Sequence, residues 1–173
     1  MNIQLYLENE TDTVFDFSEK ETAEAVIGKV LEKEQCPFDV EINILITDNS
    51  GIQEYNRQMR QIDAPTDVLS FPNLDFETPS VFNINSGNEA DYINPETGNV
   101  IFGDIIISAD KVLSQAIEYG HSYKREFAFL IAHSMYHLCG FDHLTESEAH
   151  IMETKQEEIL GLLQITREPN GKG

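Results

Sequence analysis

A chain of 173 residues, 40% of them hydrophobic, is long enough to bury the core of one ordinary domain. Its formal net charge of −20 excludes a protein that coats duplex nucleic acid through bulk electrostatics, because the phosphates would be repelled. Such acidity is typical of a well-solvated surface, and it still allows a local positive pocket.

The chain carries no sign of export or of membrane insertion. Residues Met1 to Glu8 include neither the basic segment nor the long apolar run of a signal peptide. No segment approaches the length of a membrane span. The two cysteines, Cys36 and Cys139, do not suggest a disulfide framework. We therefore expect a cytoplasmic protein with no membrane partner.

Alternating apolar residues predict two strands in the first fifty residues, around Ile3–Leu7 and Val40–Ile46. Between them, Ser18 and Glu21 have the spacing of a capping box, which predicts the start of a helix. The apolar stripe of that helix consists of Ala23, Val26, Ile27, Val30 and Leu31.

A short helix is predicted over Ile52–Met59, and Pro65 lies beyond its end. Val68–Phe71 then predicts a short strand that ends at Pro72. The stretch 73–99 is rich in Asn, Asp, Glu, Gly and Pro and contains no Lys or Arg. We expect a long acidic surface loop there, with room for a small hairpin. It could be a tolerated insertion or a rim of the active site.

The run Val100–Ile107 is apolar on both faces and predicts a central strand. Ser108 caps a following helix that ends at Gly120, and a second, largely buried helix is predicted over Tyr123–Cys139. Cys139 is expected to be a buried small side chain.

Thr145 and Glu148 form another capping box, and the last helix is expected to end near Leu162. The polar tail after about residue 165 is expected to fray. The order of elements predicts a single α+β domain over 1–173, with a small mixed β-sheet covered by helices.

Three histidines near the C-terminus predict a metal site at the end of the buried helix. His133 and His137 are four residues apart and share one helix face, while His143 follows the helix stop expected at Gly140. One histidine on an apolar helix is usually a satisfied core residue. Three at this spacing need partners for their buried nitrogens, and a metal ion supplies them. Three imidazoles with one open position are typical of catalytic zinc.

The other two histidines, His121 and His150, are expected to be solvated and to bind nothing. The three-histidine spacing is also that of the metzincin peptidases, in which a glutamate follows the first histidine as general base. Ser134 occupies that place here, and serine cannot replace a carboxylate base, so this peptidase mechanism is disfavoured.

Two arginines of the short helix, Arg57 and Arg60, are conspicuous in a chain with only 11 basic residues. A guanidinium group can bind two phosphate oxygens at once, so both are candidates for substrate binding. They could equally be surface arginines paired with some of the many carboxylates.

Four motifs follow one another as in the bacterial YbeY family, which the chain resembles from about Cys36 to Leu162. They are Asn56 with Arg60, then Pro-Thr-Asp-Val-Leu-Ser-Phe at 65–71, Gly-Asp-Ile-Ile-Ile-Ser at 103–108, and the histidine motif at 133–143. Departures are Ser134, where the family usually has glycine, Phe141, where it usually has tyrosine, and an acidic loop before Gly103 that is longer than expected.

The resemblance implies an α+β fold and a metal-dependent endoribonuclease specific for single strands. It implies action on ribosomal RNA, notably the 3′ end of the small-subunit RNA, and in ribosome quality control, with the ribosome or small-subunit proteins as partners. It also implies that His133, His137 and His143 hold zinc and that Arg60 contacts RNA phosphate.

Zinc on three imidazoles can bring the pKa of its water to about 7, and Arg60 could offset transition-state charge. Asp142 could orient a ligand, or it could be a turn residue that caps backbone groups. The nucleophile could be water or the RNA 2′-OH, and another divalent metal could replace zinc. A zinc peptidase and a non-catalytic, metal-binding ribosome-assembly factor are the alternative functions.

Overall fold

The computed structural model describes residues 1–84 and 89–166. Its β-sheet has four strands in the order β1-β2-β4-β3. They are β1 (Ile3–Asn9), β2 (Val40–Thr47), β3 (Val68–Pro72) and β4 (Val100–Ser108). The three longest strands run parallel, and β3 pairs with β4 in the antiparallel sense. The predicted mixed sheet is thereby confirmed, with β4 in the interior as its apolar faces indicate.

The helices of the described residues are α1 (Glu19–Lys33), α2 (Asn49–Arg60), α3 (Glu89–Tyr92), α4 (Ala109–Tyr119), α5 (Tyr123–Leu138) and α6 (Glu146–Leu162). Side-chain oxygens cap the helix starts predicted at Ser18, Ser108 and Thr145, each accepting a backbone N–H three residues on. Asp48 caps α2, which therefore begins three residues earlier than its apolar pattern indicates. The α+β fold class is confirmed.

Helix α5 lies at the centre of the molecule and packs against α1, α4, α6 and β3. Apolar side chains cover it on almost every side, and Phe127, Ile131 and Tyr136 are among the largest fully buried residues. A helix that is buried all round has a fixed position, so the two histidines that it carries are also fixed.

Gly103 on β4 lies where β3 and α5 both approach closely. A Cβ atom at this position would lie 2.5 Å from the carbonyl oxygen of Phe71 and 2.9 Å from Cδ2 of Leu138. Neither neighbour can easily move, because one is backbone and the other is packed in the core. The close approach therefore requires glycine in the middle of a strand.

The acidic stretch 73–99 is largely irregular, as predicted, but it contains the one-turn helix α3. An isolated bridge joins Ile93 to Val100. The N–H of Asn94 also donates to the carbonyl of Asn99, so this antiparallel pairing forms a minimal hairpin over 93–100. Residues 85–88 and the tail from 167 onward lie outside the described residues. Within the part of the chain that is described, no helix is long and apolar enough to cross a membrane.

A buried carboxylate fastens the end of this loop to the sheet. Glu41 on β2 accepts hydrogen bonds from Thr97 (2.7 Å to Oγ1), Asn94 and Asn99. These bonds, that of Thr97 first, lower the pKa of Glu41 below its ordinary value of 4.5. Glu41 was not among the residues that the sequence singled out.

We predict that Glu41→Gln lowers the free energy of unfolding by about 1–3 kcal/mol at pH 7, because an amide cannot accept all of these hydrogen bonds. The stabilisation should be present above pH 4.5 and disappear as the pH falls through the lower pKa of the folded state. Urea unfolding at several pH values measures this. The exposed Glu8 on β1 provides a control, Glu8→Gln. Equal effects of the two substitutions would contradict the role of Glu41.

Candidate metal centre

Three histidine rings converge on one point at the C-terminal end of α5. The Nε2 atoms of His133 and His137 lie 3.1 Å apart. The ring of His143 is centred 5.4 Å from that of His133 and 5.0 Å from that of His137. Each ring offers one nitrogen, and these three atoms all lie within 4.8 Å of one another. The predicted cluster is thus assembled in the folded chain.

The turn after α5 brings His143 back to the helix. Gly140 has a φ of +94°, and its N–H donates to the carbonyl of His137, while the N–H of Phe141 donates to that of Tyr136. This is the helix end that the sequence predicts at Gly140. A second requirement comes from the loop, because a Cβ at Gly140 would lie 2.6 Å from Cβ of Phe76.

The same turn orients a ligand. The carbonyl oxygen of Phe141 lies 3.0 Å from Nδ1 of His137. A proton on Nδ1 would donate to this oxygen and leave the lone pair of Nε2 facing the other two rings. Beside His133, the buried side chain of Gln156 on α6 acts to raise the pKa of the ring.

Burial keeps two of the imidazoles neutral. The pKa of His133 falls to about 4 because the ring is desolvated and because His137 and His143 are close; Gln156 and Asp67 oppose this fall. Burial also lowers the pKa of His137. Neutral imidazoles with inward nitrogens are the ligands that zinc requires, so the residues present fit a bound divalent cation.

The structure shows Asp142 in a turn contact. Its Oδ1 accepts the backbone N–H of His143 at 2.8 Å. Its negative charge also acts on His137, whose pKa it raises against the effect of burial. That Asp142 orients a ligand from outside the metal shell stays a prediction.

Ser134, which directly follows the first ligand, faces the sheet. Its side chain is completely buried, and the hydroxyl of Ser70 on β3 donates to its oxygen at 2.8 Å. This bond fastens the metal helix to β3. No sequence pattern indicates this bond, because the two serines are 64 residues apart.

Arg60 lies in the same cleft as the three histidines, a cavity of about 890 Å³. Its Nη2 donates to the carbonyl of Ser70 at 2.6 Å, and its guanidinium carbon lies 5.1 Å from the ring centre of Phe71. Its positive charge contributes to the lowered pKa of His137. The chain thus brings Arg60 and the histidines together although more than 70 residues separate them.

Arg57 is placed differently. Its Nε donates to Oε2 of Glu54, one turn earlier on α2, at 3.1 Å, and both side chains are about half exposed. Arg57 is not among the described residues that line the histidine cleft. Its predicted contact with substrate stays a prediction, and the surface ion pair that was the alternative is present.

The expectation that His121 is solvated was wrong. Its side chain is only 5% exposed, and its Nε2 lies 2.7 Å from Oε1 of the buried Glu126. The glycine beside it suggested an open loop, but α4 and α5 close over the ring. His150 is exposed, as expected. Asp67, which also lines the cleft, was quoted only as part of a motif and was not singled out.

Comparisons with known proteins agree with one another. The family model described as "Endoribonuclease YbeY" matches residues 6–164. A protein of that name from Agathobacter rectalis is 53% identical, covering 95% of this chain and all of its own. Another from Lachnoclostridium phytofermentans is 48% identical, covering 94% of this chain and 99% of its own.

A solved structure with a similar fold covers nearly the whole chain. It is the solution structure of TM1509 from Thermotoga maritima, with a TM-score of 0.55, 22% identity, and coverage of 99% of this chain and 98% of that one. At this identity the likeness supports the fold alone.

We predict that the purified protein binds one zinc ion per chain and that His137→Ala weakens this binding by more than about 100-fold. Losing a group that merely orients a ligand already costs 10–100-fold, and losing a ligand should cost more. Metal analysis and competition with a chromogenic chelator measure the affinity. His150→Ala, which removes an exposed imidazole on α6, is the matched control. Unchanged zinc affinity of the His137→Ala protein would rule out this site.

Proposed function

The chain belongs to the YbeY endoribonuclease family, and on this premise we propose that it cuts single-stranded RNA in a site formed by His133, His137, His143 and Arg60, with zinc as the metal. We further propose that its substrate is ribosomal RNA, notably the 3′ end of the small-subunit RNA. The protein would act in the cytoplasm, with the ribosome or small-subunit proteins as partners. It would also take part in ribosome quality control. The observation that carries the proposal is the convergence of three imidazoles and one guanidinium in one cleft.

The three histidines would hold zinc, which when bound makes water more acidic and polarises a phosphoryl oxygen. Arg60 would bind the scissile phosphate. One of its N–H groups is used by the Ser70 carbonyl, and its plane is supported by Phe71, so its remaining donors are held in a defined direction. A fixed guanidinium can offset charge that the phosphate gains in the transition state.

The charges that line the cleft support a dependence of RNA binding on the metal. With neutral histidines, the described lining residues carry one positive charge, on Arg60, and two negative charges, on Asp67 and Asp142. The net charge of the cleft lining is therefore −1, and a bound divalent cation would raise this net charge to +1. An acidic protein can thus attract phosphate at one place.

Two features support a preference for unpaired strands. Ile62 and Leu144 line the cleft, and they are 54% and 82% exposed. Apolar side chains at a rim can pack against unstacked bases, which a duplex keeps inside its stack. The acidity of the rest of the protein also repels the dense charge of a duplex.

The histidine spacing is shared with the peptidase alternative, but the residue after the first ligand argues against it. The position that holds a carboxylate in such peptidases is Ser134, which is buried and bonded to Ser70. The assembly-factor alternative would be favoured by a protein that binds zinc and RNA without cutting RNA.

We predict that the zinc-loaded protein cuts an unstructured RNA and that Arg60→Ala lowers the cleavage rate by about 100-fold or more, since one preorganised charge contact contributes this much. His133→Ala should abolish cleavage through loss of the metal. The rates come from gel analysis of an end-labelled RNA, with zinc affinity measured in parallel. Arg57→Ala, on the same helix, should have a much smaller effect because Arg57 is paired with Glu54. Full activity of both the Arg60 and His133 variants would assign the cutting to a contaminant.

We also predict that removing zinc weakens binding of a non-cleavable 2′-O-methyl RNA by about tenfold or more, as the cleft charge changes sign. Fluorescence anisotropy with chelated and zinc-loaded protein measures the two dissociation constants. The loss should be smaller in the Arg60→Ala protein, whose phosphate contact is already missing. Identical affinities with and without zinc would contradict the electrostatic account.

A further inference from the structure

A connected series of polar side chains runs from the cleft into the protein between α4 and α5. Oδ2 of Asp67, just before β3, accepts a hydrogen bond from Nε2 of Gln115 on α4 at 3.3 Å. The same nitrogen donates to Oε2 of Glu126 on α5 at 2.9 Å, and the other oxygen of Glu126 lies 2.7 Å from Nε2 of His121. Asp67 at the cleft is thereby linked directly to α4, and through Gln115 to α5.

Stability alone does not account for this series. The side chains of His121 and Glu126 are 5% and 2% exposed, and Nδ1 of His121 has no partner in the described part of the chain. Burying such groups costs desolvation, and apolar residues of similar volume often serve folding as well or better. A buried polar network does, however, fix the position of its members.

The position that it fixes belongs to Asp67. Oδ1 of Asp67 accepts the N–H of Val68 at 2.7 Å, so each carboxylate oxygen has a partner. The hydroxyl of Thr66 also donates to Oδ1, at 3.5 Å. A carboxylate has about four acceptor sites, so about one remains for a further donor. Asp67 lines the cleft beside the histidines, and its charge acts on His133.

Cleavage requires an acceptor for the proton of the attacking hydroxyl. Ser134, at the position of the base in the peptidases, is buried and cannot accept it. The carboxylates among the described lining residues are Asp67 and Asp142. Asp142 is exposed, and its bond is to the backbone of the next residue. Asp67 is instead held through α4 and α5. An acceptor that is held in place before the reaction is the more effective one.

We propose that Asp67 is a catalytic residue, the general base that accepts the proton of the attacking hydroxyl, and that Gln115 and Glu126 are positioning residues that hold it. This inference rests on the proposed function. The attacking O–H bond breaks and its proton passes to the carboxylate while the new O–P bond forms. The P–O bond to the leaving nucleoside breaks, its oxygen takes a proton from solvent, and Asp67 then releases its proton to solvent.

The first test is Asp67→Asn, which preserves size and the acceptor for Val68. The rate constant of single-turnover RNA cleavage should fall about 100-fold or more, the usual contribution of a general base. The affinities of this variant for zinc and for 2′-O-methyl RNA should stay within about threefold of the wild-type values. Glu118→Gln, an exposed carboxylate on α4, is the control and should leave the rate unchanged. Wild-type cleavage by Asp67→Asn, a collapse of its zinc affinity, or loss of cleavage only in Asp142→Asn would each overturn the proposal.

The second test breaks the link and leaves both carboxylates in place. Gln115→Leu should lower kcat about tenfold with KM unchanged, and it should have no further effect in the Asp67→Asn background, because both changes disable one base. If Gln115→Leu lowers kcat by the same factor in the wild-type and the Asp67→Asn protein, Gln115 has only a structural role and does not act through Asp67. If Asp67→Asn does not fold, as judged by thermal unfolding, Gln115→Leu and Glu126→Gln decide: a fall in kcat alone supports the proposal, and unchanged kcat overturns it.

Failure of the proposed function gives a different result. A wild-type protein that binds zinc and does not cut RNA overturns the nuclease, and the base with it. A wild-type protein that cuts RNA beside an equally active Asp67→Asn protein overturns the base alone.

Discussion

The turn at Gly140 is the constraint on which the site depends. Helix α5 is packed on almost every side, so the places of His133 and His137 are set by the core. The left-handed backbone at Gly140 then reverses the chain and returns His143 to the other two rings. The carbonyl of Phe141, exposed by the same reversal, lies against His137. A few residues therefore end the helix, complete the ligand set and orient one ligand.

This arrangement is costly to the metal-free chain. Two of the rings lie with their Nε2 atoms 3.1 Å apart, and the pKa of His133 is lowered to about 4 by burial and by its neighbours. A protein that needed only a packed core would have apolar residues here. The cost makes sense if the ligands are organised for a cation before it arrives, since binding then requires little rearrangement.

The sequence predicted well those features that depend on local spacing. Alternation predicted β1 and β2, and an apolar run predicted β4. Hydroxyl side chains predicted the caps at Ser18, Ser108 and Thr145, and the spacing of four predicted the paired histidines. Contacts between distant segments could not be read in this way. The bond from Ser70 to Ser134 and the series from Asp67 to His121 join residues whose proximity exists only after folding.

The two arginines show the same limit within one helix. Arg57 and Arg60 are three residues apart and chemically identical, so residue type made both candidates for substrate binding, and the family resemblance alone singled out Arg60. In the fold, Arg57 has Glu54 one turn before it on α2, whereas Arg60 is the last residue of α2 and reaches the carbonyl of Ser70 on β3. Position on the helix, rather than residue type, decides which guanidinium faces the cleft.

The charge distribution connects the site to its proposed setting. With a net charge of −20, the protein as a whole repels RNA, and among the described residues that line the cleft the positive charge is that of Arg60, to which a bound cation would add. Few phosphates can be neutralised in this way, so the binding energy that RNA gains from charge alone is small. An enzyme with so small a positive region cannot select one site among many RNAs by electrostatic affinity. Selection must come from the shape of the cleft or from a partner that presents the strand, which is why a ribosomal partner belongs to the proposed function.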